Sequence, residues 1–84
     1  MKKRLSRKNA LYTSGSGTTV LINYDIAQQM LEVQFKSGDV YHYRKVPPSI
    51  WEEYKSIIQA GGSSGSFLNK QIKPFYEDEK ILGD

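Results

Sequence analysis

Few side chains in this 84-residue chain could do covalent chemistry, and their spacing restricts them further. His42 is the only histidine, and cysteine is absent. A nucleophilic mechanism needs a hydroxyl beside the imidazole and an acid to orient it, and Tyr41-His42-Tyr43 offers no such neighbours. One histidine and scattered carboxylates do not form a metal-ligand pattern. The expectation is no catalytic residue, no metal and no cofactor. Gly61-Gly62-Ser63-Ser64-Gly65-Ser66 before Phe67 looks like a phosphate loop opening a helix. No Gly-Lys-Ser/Thr follows at Walker spacing, so it reads as a joint between helices.

The remaining candidates bind rather than react. Tyr41, His42, Tyr43, Arg44 and Lys45 form one aromatic and basic run, and Asn69, Lys70, Lys73 and Tyr76 a second. Gathered on one surface, such residues track a single-stranded backbone and stack its bases. The plainer reading is a solvated surface, with Tyr76 packed inward. Lys2, Lys3, Arg4, Arg7 and Lys8 make a basic arm. It would attract phosphate without sequence preference and in a salt-dependent way, or simply aid solubility.

The elements that must position these residues form an α+β pattern. Residues 1–17 read as a flexible basic arm ending in Ser14-Gly15-Ser16-Gly17. Residues 18–24 are rich in β-branched side chains and suit a first strand. Leu31, Val33 and Phe35 alternate with Glu32 and Gln34 as a half-buried second strand, and residues 40–44 make a third. Val46-Pro47-Pro48 ends that strand, because proline cannot donate to a ladder. Ser49 with Glu52 has the spacing of a capping box. Ile50, Trp51, Tyr54, Ile57 and Ile58 give one apolar stripe through about residue 60. Gly61-Gly62 stops that helix. Residues 67–72 form a short second helix, and residues 77–84 a frayed acidic end. The reading is a three-stranded antiparallel meander against one main helix, with a short C-terminal helix.

The Lys36–Asp39 turn decides where the tyrosines point. An even-numbered loop sets Tyr41 and Tyr43 opposite Gln34 and Glu32, on the solvent side, as a stacking platform. A three-residue loop with Gly38 in the left-handed position sets them opposite Val33 and Leu31, in the core. It leaves Val40, His42 and Arg44 facing outward with Glu32 and Gln34. Glycine third in the loop and the need of a small core for large rings favour the second register.

Length and charge set the outer limits. A chain this short is one domain with a small core, and without disulfides packing alone must hold it. The net charge of +3 sits in the arm: residues 1–8 hold five positive charges and no negative ones, and residues 9–76 balance at +1. A body so close to neutral has no field that obliges it to bind phosphate. The longest apolar run is Val20-Leu21-Ile22, too short for a membrane span, and no apolar stretch follows the basic start as a signal peptide requires. A cytoplasmic monomer is expected.

Tyr24-Asp25, Leu31-x-Val33-x-Phe35-Lys36-Ser37-Gly38, Tyr41-x-Tyr43 and Val46-Pro47 resemble the front half of the KTSC domain, which is named for a C-terminal extension of some lysyl-tRNA synthetases. Ser64-Gly65-x-Phe67-x-Asn69-x-x-Ile72-Lys73-x-x-Tyr76 resembles its back half, so the likeness covers about residues 16–76. The chain departs from the family's paired opening serines with Ser16-Gly17-Thr18, and the basic arm lies outside the pattern. The resemblance implies no known enzymatic activity and a role in RNA binding inferred from the synthetase association. The expected partner is therefore RNA, either tRNA or single-stranded. The competing expectation is another protein, held in the sheet–helix groove or along an exposed sheet edge.

Overall fold

The computed structural model describes residues 4–13 and 17–83. A single antiparallel sheet runs β1 (Leu11–Tyr12), β2 (Thr19–Asp25), β3 (Met30–Phe35), β4 (Val40–Tyr43) and β5 (Asp78–Leu82), in that spatial order. Between β4 and β5 the chain forms α1 (Pro48–Gln59) and α2 (Ser64–Phe67), which continues into a π-helical turn, Leu68–Ile72. The meander expected from the alternating residues is the middle of this sheet. Its two further strands come from segments read as flexible arm and frayed end. Leu11 pairs with Ile22, and Asp78 with Tyr43, because each finds an open row of backbone donors and acceptors on a meander edge. Lys2, Lys3 and the linker residues 14–16 lie outside the described residues.

The β3–β4 turn takes the three-residue form. Leu31 faces Tyr43 and Val33 faces Tyr41, Phe35 N–H donates to Asp39 O at 2.8 Å, and Gly38 sits at φ +98°. The tyrosines thus share the helix-facing side with Leu31 and Val33. The same register was expected to leave Val40 and His42 in solvent, and both are buried instead. The sheet has no solvent face at its centre: Leu21, Asn23, Glu32, Val40 and His42 are covered on the side away from the helices. Residues 4–9 supply part of that cover, with Asn23 donating to Ser6 O at 2.9 Å and Asn9 to Tyr24 O at 3.1 Å.

On the helix side, Trp51 stacks on Tyr24 with centroids 5.3 Å apart, and Tyr54 lies 4.5 Å from Phe67. Tyr24 also donates its hydroxyl to Val46 O. The helix begins one residue before the expected capping box. Pro48 takes the first helical position, and Pro47 is held extended because a proline follows it. Ser49 therefore makes no cap, and Glu52 pairs with Lys55 at 3.0 Å. Ile57 drops out of the buried stripe and is 36% exposed.

Ser63 to Ser66 is not a loose joint. Ser63 Oγ accepts Ser66 N–H at 3.1 Å and caps α2, while Ser64 Oγ lies 2.7 Å from the Tyr54 hydroxyl. A Cβ on Gly65 would come within 2.7 Å of Thr18 Oγ1, so the serine–glycine pair is set by close packing against β2's approach.

A methyl group on Gly38 would meet nothing within 4 Å, so Gly38→Ala tests backbone conformation alone. It should destabilise by ~1–3 kcal/mol in urea unfolding. An unchanged midpoint would show that the turn relaxes without cost.

Candidate nucleic-acid interface

A surface groove of about 590 Å³ opens where the β3–β4 turn lies beside the segment that leads into β5. Phe35, Lys36, Tyr41 and Lys73 line it together with Asp39, Tyr43 and Asp78. Tyr41 is half-buried and meets Phe35 edge to face, with centroids 5.7 Å apart at 89°. Lys73 Nζ stands 5.7 Å from the Phe35 ring centre, a cation–π contact that orients the ammonium over the groove. Asp39 carries its own partner, Lys80, at 3.4 Å.

A second cluster lies on the same connecting segment. Arg44, Lys45, Phe75, Tyr76 and Glu77 surround a depression of about 400 Å³. Lys45 is exposed and sits at φ +59°, while Arg44 pairs with Glu79 at 2.9 Å. Tyr76 packs against the core, and Phe75 is 68% exposed.

The expected residues are thus sorted rather than gathered. Tyr41, Tyr43 and Lys73 border the first groove; Arg44, Lys45 and Tyr76 share the second. Tyr43 is 1% exposed, and burial with the nearby Asp78 pushes its hydroxyl pKa up, so it offers no stacking face. Lys70 lies apart, over a shallow groove with Ile57 and Phe67, and Asn69 is exposed on the π-helical turn. Arg7 and Lys8 are exposed on a short 3₁₀ turn. Phe35, Lys36 and Phe75 were not singled out from the sequence. Phe75 carried a legible signal, an aromatic just after Pro74 in an otherwise polar stretch. Phe35 did not, since the strand pattern assigns it to the core.

His42 and Arg4 belong to another structure, on the far face of the sheet. His42 Nε2 lies 2.8 Å from Glu32 Oε2, and Arg4 Nε lies 3.1 Å from the same oxygen. Arg4 Nη2 donates to Glu32 Oε1 at 3.2 Å and Leu5 N–H to Oε2 at 3.0 Å. Glu32 is fully buried. Burial raises its pKa, but the hydrogen bonds from His42, Arg4 and Leu5 outweigh that and hold it at about 2. His42 is a structural partner of a buried carboxylate here, not the exposed member of its motif.

Among the described residues no group of three or more His, Cys, Asp or Glu is placed to hold a metal, and no helix is long and apolar enough to cross a membrane.

An antiparallel five-stranded sheet with two helices inserted before its last strand defines a small α+β domain. The KTSC domain pattern matches residues 16–76, and the chain belongs to that family. It is 37% identical over 59 residues to a lysine–tRNA ligase of Nostoc punctiforme, a match covering 70% of this chain but 10% of the ligase. An uncharacterized protein of Stutzerimonas stutzeri is 40% identical over 53 residues, 63% of this chain and 69% of that one. The crystal structure of a KTSC domain protein from Yersinia pestis superposes with a TM-score of 0.70 at 30% identity, over 88% of this chain and 97% of that one.

A carboxylate with a depressed pKa stabilises the fold fully above its unfolded value and loses that contribution as pH falls through the folded one. Stability should therefore decline between about pH 4.5 and pH 2. Urea unfolding across that range should show a flatter profile for Glu32→Gln. Equal acid dependence in both chains would remove Glu32 as the cause. Glu32→Ala, which strands Arg4 and His42, should cost ~3–5 kcal/mol at neutral pH.

Proposed function

We propose that this domain is a non-catalytic module that binds RNA, tRNA or single-stranded, through the Phe35–Tyr41 groove. The observation that carries the reading is the edge-to-face pair Phe35–Tyr41 with Lys73 over it and Lys36 beside it. An aromatic wall next to two lysines suits a base stacked on a ring and phosphates held by ammonium groups; stacking contributes ~1–3 kcal/mol per base. Lys45, Phe75 and Tyr76 extend the same chemistry along the connecting segment, with Asn69 and Lys70 on the preceding helical turn. The likeness to part of a lysine–tRNA ligase supports an RNA partner. Lys2, Lys3, Arg7 and Lys8 add non-specific attraction, whereas Arg4 is already engaged with Glu32.

A second reading rests on β5, which lies at one end of the strand order and carries Leu82 at 54% exposure. There an extended protein segment would add a sixth strand.

Anisotropy of a labelled mixed-sequence RNA separates the two. Phe35→Ala or Tyr41→Ala should weaken binding by ~5- to 100-fold. Affinity should also fall as salt rises, and Lys36→Ala or Lys73→Ala should each lower the salt slope by about one. Absence of RNA binding at physiological salt would overturn the RNA reading and favour the β5 edge, and binding that ignores salt and survives both aromatic substitutions would remove this groove as its site.

A further inference from the structure

The face of the sheet opposite the helices buries Asn23, Glu32 and His42 beside Leu21 and Val40, and a short stretch of the chain's own N-terminus covers its polar part. Its side chains match the groups of an extended peptide one by one. Glu32 and Gln34 both accept from the Arg4 guanidinium, at 3.2 and 3.3 Å. Glu32 also accepts the Leu5 N–H at 3.0 Å, and Asn23 donates to the Ser6 carbonyl at 2.9 Å. Ser6 has φ −59° and ψ 138°, an extended backbone without internal hydrogen bonds. His42 stands behind the carboxylate at 2.8 Å and holds it in place.

Two further observations indicate a recognition site rather than ordinary packing. The receiving residues Asn23, Glu32, Gln34 and His42 all lie within the family match of residues 16–76, whereas Arg4, Leu5 and Ser6 lie outside it. The family match thus covers the receiving face and not the three residues that fill it. The charges are also complementary: Asp25, with Glu79 already paired to Arg44, lines a groove of about 400 Å³ alongside Arg4, Leu5 and Ser6, in a segment that continues with Arg7 and Lys8. A fully buried carboxylate needs a compensating cation, and the Arg4 guanidinium supplies one, with Nη2 hydrogen-bonded to Oε1 and Nε 3.1 Å from Oε2.

We propose that Asn23, Glu32, Gln34 and His42 form a recognition site for an extended, arginine-bearing segment of a partner protein, and that residues 4–6 occupy it in cis as a built-in competitor. The proposal is independent of the RNA groove, which opens on other residues. A tethered segment acts at an effective concentration in the millimolar range, so the wild-type chain screens out weak ligands in trans. Only a partner segment that outcompetes Arg4 takes the site.

The test uses the full chain with Arg4→Ala and a synthetic peptide of residues 1–9 as the probe. Amide NMR should show the peptide shifting Asn23, Glu32 and His42 in the variant at concentrations at least tenfold below any effect on wild type. The peptide at ten times its Kd should raise the variant's Tm by about 5 °C or more. If Arg4→Ala unfolds, the same peptide should restore the folded spectrum. Absence of both shifts and rescue overturns the proposal, as does equal action by a peptide carrying Arg4→Ala. A concentration-dependent wild-type dimer that Arg4→Ala abolishes would also overturn it, by making a second copy the occupant.

Discussion

The Glu32 carboxylate governs how the two sides of this domain can exist together. It sits at the middle of the sheet with no exposure, on a strand whose neighbours Leu31 and Val33 face the helices. A lone buried anion is strongly unfavourable. Here His42 across the strand, Arg4 from the N-terminus and the Leu5 amide satisfy it together. The cover on that face is thus tied to a charge rather than to apolar area alone. The arm is ordered at Arg4 because the sheet presents an anion there, and the anion can stay buried because the arm is ordered.

On the other face the constraint is aromatic packing in a small volume. Tyr24 stacks on Trp51 and bonds to the Val46 carbonyl, which locks β2 to the turn before α1. Tyr54 contacts Phe67 and reaches Ser64, which locks α1 to α2. Each ring thus joins two elements and also ends on a polar partner, the arrangement that lets tyrosine be fully buried. With no disulfide to restrain the chain, these contacts carry the helices onto the sheet. The rings at the edge of the same layer, Phe35 and Tyr41, stay half-buried and give the groove its apolar wall.

Much of the architecture was legible because local rules and tertiary needs agree. The alternation of Leu31, Val33 and Phe35, the Gly38 turn, the double proline and the Trp51–Tyr54 stripe each state a local geometry, and the structure keeps it. The capping box failed for a local reason as well: Pro48 is better suited to the first helical turn than Ser49 is to the cap. Family membership followed from the order and spacing of these same residues, since turns, glycines and core rings at fixed intervals are what a fold requires of its sequence.

What only the tertiary structure decided is which polar residues are outside. Period two assigns Glu32 and His42 to one face but cannot say whether anything covers it, and the cover comes from Arg4, 28 residues from Glu32. The same applies to β1 and β5, segments too short or too charged to show a strand pattern alone, which become strands because an edge already exists to pair with. The candidate binding residues divided for this reason too. Tyr41 and Tyr43 look alike in sequence, yet Tyr43 belongs to the buried core cluster and Tyr41 stays half-buried against Phe35. Sequence spacing determines the face a side chain takes; its depth depends on what folds over that face.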